Sequence, residues 1–199
     1  MSGFLISLEG GEGAGKTTVL NALRECLVEQ GYEVVSTREP GGTLAGEMIR
    51  GVLLNPELSL FSETELLLMF AARAQLVREL IQPAISRGAA VISDRFTDAS
   101  FAYQGGGRGL ETGRIAELER WAAVIKPDLT FLLDVSVQQG LARARSRVAN
   151  RIGSNLNAKI FLNASAPLIL IAQATNQVVF VLSMQASLPR QSSLKSKKN

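Results

Sequence analysis

Residues 10–17 read Gly10-Gly11-Glu12-Gly13-Ala14-Gly15-Lys16-Thr17, a complete G-x-x-x-x-G-K-[ST] pattern. Each fixed position has a task. The glycines let backbone N–H groups close around phosphate oxygens, Lys16 reaches β- and γ-phosphates, and Thr17 offers a hydroxyl to Mg2+. The helix that follows turns its positive end toward the same anion. Phosphoryl transfer needs little covalent help from a protein; it needs two phosphates in line and the developing charge neutralised. Asp94, at the end of an apolar run, is a candidate Mg2+ partner, directly or through water. Arg38 and Arg95 each fall where a strand meets a loop and are candidate clamps for an acceptor phosphate, since a guanidinium fork binds oxyanions bidentately. Phe70 and Arg73 are three apart on one helix face. Such a pair can stack on a base and donate to its carbonyl, although alone it reads more simply as core filler and surface charge. Ser100, Tyr103 and Gln104 supply hydroxyl and amide groups suited to a nucleoside.

The elements around these residues follow from hydrophobic spacing. Phe4 to Leu8 reads as a strand, and Lys16 to Gln30 as a helix with Val19, Leu20, Leu23, Cys26 and Leu27 on one stripe. Cys26 is therefore expected to be a packed thiol. Further strands are expected over 33–37, 89–93 and 129–134, and helices over 43–53, 63–86, 112–124 and 137–148. Pro40, Gly41 and Gly42 exclude regular structure after Arg38, and the run Gly105-Gly106-Gly107 is expected to break a helix. Strands alternating with helices predict an α/β fold, a parallel sheet covered by helices on both faces. Ligands of such sheets gather at the carboxyl ends of the strands. The glycine loop, Arg38 and Asp94-Arg95 should then share one crevice.

Composition narrows the chemistry. The 199 residues, 46% of them hydrophobic, suit one domain with a full core. There is one cysteine and no histidine, so neither a disulfide framework nor histidine general-base catalysis is available. No apolar stretch has the length of a membrane span and the N-terminus lacks a secretory signal, so a cytoplasmic location without a membrane partner is expected. The net charge of +3 hides a split. Residues 1–134 carry 12 Lys/Arg and 18 Asp/Glu, whereas residues 135–199 carry 9 Lys/Arg and no carboxylate side chain. A basic nucleic-acid tail is not expected, because the cations are sparse and Pro167–Ala172 and Val178–Leu182 are buried-type runs. Asn163-Ala164-Ser165 fits a glycosylation acceptor, which a cytoplasmic chain does not use.

Several strings together resemble bacterial thymidylate kinase: L-E-G-G-E-G-A-G-K-T-T (8–18), R-E-P-G-G-T (38–43), F-A-A-R-A-Q (70–75), D-R-F-T-D-A-S-F-A-Y-Q-G (94–105) and P-D-L-T-F-L-L-D-V (127–135). They stand in family order within about residues 1–147. The resemblance implies a P-loop nucleoside monophosphate kinase fold, ATP and dTMP as ligands, phosphorylation of dTMP to dTDP on the way to dTTP, Mg2+ as cofactor, and a homodimer. It implies that Gly10 to Thr17 bind ATP. Phe70 would stack on thymine and Arg73 would hydrogen-bond it. Arg38 and Arg95 would grip the dTMP phosphate beside Pro40, Tyr103 would pack on the sugar, and Ser100 and Gln104 would lie near the base. Glu12 matches a carboxylate close to the 3′-hydroxyl. One branch of the family has arginine where this chain has Gly13, so the transition-state cations are expected in the lid, from Arg143, Arg145, Arg147 and Arg151.

The likeness fades there. The family continues with an Asp-Arg-hydrophobic-Glu string and a helix containing F-F-x-R-V, but this chain reads N-R-I-G at 150–153. Residues 1–147 are thus expected to form the kinase core and 148–199 a divergent tail. A shifted reading frame accounts for the tail: Lys159 to Ala164, read one frame over, permits Asp-Phe-Phe-Glu-Arg, and Ser183 to Ser187 permits Asp-Ala-Ser-Gln. The alternative function is a catalytically impaired nucleotide-binding remnant. A GTPase is disfavoured by the missing N-K-x-D string.

Overall fold

The computed structural model describes residues 2–135, 138 and 140–142, and the backbone of 168–172 and 178–183. Four strands carry the site: β1 (Phe4–Glu9), β2 (Val34–Arg38), β3 (Ala90–Asp94) and β4 (Leu129–Asp134). They pair in parallel, with β1 between β3 and β4, and β2 outside β3. Parallel strands are buried on both faces, so their side chains divide between two cores rather than between core and water. Leu5 and Val91 face one side and pack with Leu76, Val77, Ile81 and Phe96. Ile6, Leu8 and Ile92 face the other and pack with Val19 and Leu133, covered by Leu20, Leu23 and Leu27 of helix α1 (Lys16–Glu29). Two polar contacts tie β1 to β4 and to the residue before it inside this sheet, as a dry interior favours. The Ser7 and Thr130 hydroxyls share a buried 2.7 Å bond. Asp128 accepts from the Leu5 amide at 2.8 Å and returns its own N–H to the Leu5 carbonyl at 2.8 Å.

Two strands complete the sheet. Among the described residues its order is β2-β3-β1-β4-β6-β5, with β5 at Leu168–Ala172 and β6 at Val178–Ser183. β6 runs parallel to β4 and β5 antiparallel to β6. Both apolar runs of the tail therefore pair as strands. The lid arginines Arg143, Arg145, Arg147 and Arg151, and the shifted-frame segment 159–164, lie outside the described residues.

The helices depart from the sequence expectation where proline and close packing intervene. The helix expected over 63–86 is α3 (Ser62–Leu76), a wide π-helical turn (Val77–Ile81) and α4 (Gln82–Ser86). Pro83 explains the interruption. It has no N–H to return to the preceding turn and its ring crowds the carbonyl four residues back, so Gln82 donates instead across a wider loop to Val77. The helix expected over 112–124 likewise becomes α6 (Thr112–Leu118) with a wide turn at Glu119–Ala123, ending where Val124 adopts φ 53°. α2 (Leu44–Leu53) begins where Thr43 accepts from the Gly46 amide at 3.0 Å, so Thr43 caps rather than joins it.

The glycine run does not break its helix. α5 (Thr97–Ser100) continues as a wide helical turn over Phe101–Gly107 and closes when the Arg108 amide donates to Tyr103 at 3.0 Å. A Cβ on Gly105 would lie 3.3 Å from Ile115 Cδ1, so glycine here admits α6 rather than ending a helix. Cys26 is half-buried, its sulfur taking a 3.5 Å contact from Gln30, and is less enclosed than expected.

Ile92 is fully buried in the middle of the sheet. Truncation to alanine is expected to destabilise the chain by about 2–5 kcal/mol, read as a lower urea midpoint at unchanged slope. A shift well below 1 kcal/mol would refute this placement of the core.

Candidate functional site

The carboxyl edge of the sheet assembles the site. Strand register sets Arg38 beside Asp94 and Asp94 beside Leu8, so β1, β2 and β3 end level. Between β1 and α1 the glycine loop needs backbone that only glycine adopts comfortably: Gly13 has φ 74° and Gly15, the α1 cap, φ 96°. A Cβ on Gly13 would run into the Gly140 carbonyl, and one on Gly140 would lie 2.5 Å from the Glu12 carbonyl oxygen. No side chain fits between loop and helix there, so an arginine at position 13 is excluded in this arrangement. Lys16 lies across the loop, donating to the Gly10 and Gly11 carbonyls at 2.9 and 3.1 Å, and stands 3.9 Å from Asp94 Oδ1. Asp94 Oδ1 is buried and accepts no hydrogen bond from the described residues.

From this loop a cavity of about 720 Å³ extends past Arg38, Asp94 and Arg95 to Glu65, Met69, Tyr103 and Gln104. Arg95 has φ 76°, a conformation that costs a non-glycine residue about 1–3 kcal/mol. The turn is held by its N–H on the Leu8 carbonyl at 2.9 Å and by Ser93 Oγ on its own carbonyl at 2.7 Å. It carries the guanidinium over the Tyr103 ring, 4.9 Å from the centroid. Arg38 donates to both Glu47 oxygens at 3.0 Å. The Gly42 amide and Arg38 together hold the Glu47 carboxyl below the usual carboxylate range.

Behind the wall lies a buried ionic cluster. Arg73 donates through Nε and Nη2 to Glu39 Oε2 at 2.8 and 2.6 Å, through Nη1 to Ser100 Oγ at 3.1 Å, and through Nη2 to the Phe96 carbonyl at 3.1 Å. Its guanidinium sits 4.5 Å from the Phe70 centroid and 5.5 Å from that of Phe96. Burial pushes the Glu39 carboxyl up, opposed by the charge and hydrogen bonds of Arg73. Burial likewise raises Asp98, with Glu119 adding repulsion. Glu9, at the end of β1, accepts from the Phe96 amide at 2.8 Å; burial pushes its carboxyl up to about 8 despite that bond.

The structure brings Glu12, Gly13, Ala14, Gly15, Lys16, Thr17, Arg38, Pro40, Asp94, Arg95, Tyr103 and Gln104 onto one cavity. Gly10 and Gly11 form the base of the loop. Phe70, Arg73 and Ser100 do not line it. They are 2%, 1% and 0% exposed and stand one layer behind. Sequence reasoning missed Glu39, Arg50 and Glu65. For Glu39 there was a signal, since an arginine on a helix face beside Phe70 needs a counter-charge once buried. Arg50, which donates to the Pro40 carbonyl at 2.8 Å, looks like any solvated helix cation until the loop is folded against it.

Glu9 makes stability pH-dependent. A carboxyl raised in the native state keeps its proton while the unfolded chain loses it, so stability falls as pH rises from about 4.5 to about 8 and levels off above. The full loss is at most about 5 kcal/mol. Glu9→Gln keeps the acceptor for Phe96 and removes the titration. Its urea midpoint is expected to drop less between pH 5 and pH 8 than that of the unsubstituted chain; parallel drops would sink the assignment.

Comparison with known proteins agrees with this geometry. A sequence profile described as "Thymidylate kinase" matches residues 8–188. The match runs beyond residue 147, the expected end of the resemblance. The thymidylate kinase of Ectopseudomonas mendocina is 54% identical over 149 residues, covering 74% of this chain and 71% of that protein. That of Hahella chejuensis is 57% identical over 149 residues, covering 74% and 72%. In three dimensions, the crystal structure of thymidylate kinase from Ehrlichia chaffeensis is similar with a TM-score of 0.65 and 37% identity, over 75% of this chain and 86% of that one. A profile match over most of the sequence, and relatives more than half identical to it, place this chain in the thymidylate kinase family.

Proposed function

We propose that the chain transfers the γ-phosphoryl group of ATP to the phosphate of dTMP, giving ADP and dTDP. The observation that carries this reading is a single cavity with a phosphate loop at one end, a polar, base-sized wall at the other, and Arg38 and Arg95 between them. The loop amides and Lys16 hold the donor phosphates, and Arg38 and Arg95 hold the acceptor phosphate in line with them. Arg38 reaches that phosphate by exchanging its exposed pairing with Glu47, a small loss for a surface pair. The residues present fit Mg2+: Thr17 and Asp94 share the cavity, and the buried Asp94 Oδ1 lacks a hydrogen-bond donor. When bound, such an ion neutralises charge on the β- and γ-phosphate oxygens.

At the far end, two buried acceptors, Gln104 Oε1 and Glu39 Oε1, have no hydrogen-bond partner among the described residues. A base carrying an imide N–H suits the first. The four hydrogen bonds of Arg73 leave one Nη1 proton, which a carbonyl of the base reaches only when the buried guanidinium is uncovered on binding. Phe70 carries that guanidinium from below, and a stacking role for its ring requires the ring to be uncovered on binding. Glu12 serves the 3′-hydroxyl and Tyr103 the sugar. Since Gly13 leaves the loop with Lys16 but no arginine, Arg143, Arg147 and Arg151 supply the remaining charge at the transition state. The working form is a cytoplasmic homodimer with no nucleic-acid or membrane partner. The carboxylate-free stretch from residue 135 onward supports a tail encoded in a shifted frame from about residue 148; coding DNA with no single-base insertion or deletion near codons 148–153 would exclude this.

Turnover is expected with dTMP and ATP–Mg2+ in a coupled ADP-release assay on the full chain, with dCMP much poorer. Lys16→Met is expected to lower kcat by about 10²–10³. Turnover insensitive to Lys16, or preference for dCMP, would overturn the assignment. Tight dTMP binding without ADP release would instead select the catalytically impaired remnant.

A further inference from the structure

Gln104 is 4% exposed and lines the cavity, yet only half of its amide is used. Its Nε2 donates to Glu65 Oε1 at 3.0 Å, and its Oε1 is buried with no partner. The other Glu65 oxygen accepts from Arg108 Nη2 at 2.8 Å. A side-chain amide can ordinarily turn over and exchange its donor for its acceptor. Here it cannot do so freely. A carboxylate paired with a guanidinium offers only lone pairs, so turning the amide would set Oε1 against Glu65 and break the one side-chain bond it makes among the described residues.

We infer that Glu65, anchored by Arg108, is a specificity-determining positioning residue that locks the Gln104 amide with its oxygen toward the base, so that the site selects a pyrimidine carrying an N3–H and rejects one whose N3 is an acceptor. This rests on the cavity's far end being the acceptor-nucleotide site. Thymine and uracil donate at N3 and satisfy the orphan oxygen. Cytosine presents a lone pair there and leaves two acceptors facing each other. Leaving a buried acceptor unpaired corresponds to about tenfold to a hundredfold in affinity. Sequence alone hides the device, because Glu65 reads as an ordinary first-turn acid of α3 and Arg108 as the end of a glycine run.

The test is calorimetric binding of dTMP, dUMP and dCMP to the full chain and to Glu65→Gln and Arg108→Met. Glu65→Gln puts an amide opposite Gln104, which can then present either end. The dTMP:dCMP affinity ratio is expected to narrow by about tenfold, with weaker dTMP binding and stronger dCMP binding. Arg108→Met keeps the carboxylate but loses its anchor, so a smaller narrowing is expected. dUMP should track dTMP, since it shares the imide. An unaltered ratio in both variants overturns the inference, as does an equal loss of affinity for dTMP and dCMP, which a merely structural role would produce. If the unsubstituted chain binds neither dTMP nor dUMP, the assignment of the site itself fails; if it binds dTMP and only the variants behave wrongly, the role of Glu65 alone falls.

Discussion

The ion pair between Glu39 and Arg73 is the interaction on which the acceptor half of the site depends. Its side chains are 2% and 0% exposed and its shorter bond is 2.6 Å. Two charges removed from water are tolerated only when geometry and further hydrogen bonds compensate the lost hydration. Arg73 meets that demand by binding the Phe96 carbonyl and Ser100 as well, and by lying against two aromatic rings. In doing so it ties together the loop after β2, the helix α3, the turn after β3 and the helix α5. Removing either charge would leave the other buried alone, so these four segments are held in one arrangement by a single demand for neutrality.

That arrangement sets the electrostatics of the cavity. At the phosphate end, Lys16, Arg38 and Arg95 present positive charge to an anion. Farther in, the wall is made of acceptors held in place by their own partners: Glu39 by Arg73, and Gln104 by Glu65. One end suits phosphate and the other suits a base that donates. The polarity of the site is thus built from ion pairs that largely cancel locally, with individual buried acceptors left over. The close approach of Gly13 and Gly140 works differently, by shape alone. It brings Gly140 against the phosphate loop and leaves no room for a side chain.

The phosphate loop, the parallel sheet and the placement of Arg38, Asp94 and Arg95 at its carboxyl edge were legible in the sequence. They rest on local signals: fixed glycines, short apolar runs and the rule that such sheets bind at their strand ends. The errors were of another kind. Hydrophobic spacing continues through Pro83 and Gly105-Gly106-Gly107 reads as a break, but neither signal reports whether a turn widens or whether a neighbouring helix needs the room that glycine provides. Cys26 sits on an apolar stripe, yet the stripe's edge is only half covered.

The sequence by itself determined the family, the fold class and the phosphate chemistry, because these depend on residues close together in the chain and on periodicities a few residues long. Only tertiary structure decided which buried polar atoms are paired and which are left without a partner. Glu39 and Arg73 are 34 positions apart, and Gln104 and Glu65 are 39 apart. Whether such groups meet is a matter of how sheet and helices pack, and no spacing rule reaches that far. Those long-range pairs set the chemistry of the wall, because a buried amide or carboxylate has a definite donor or acceptor role only once its other partners have been chosen.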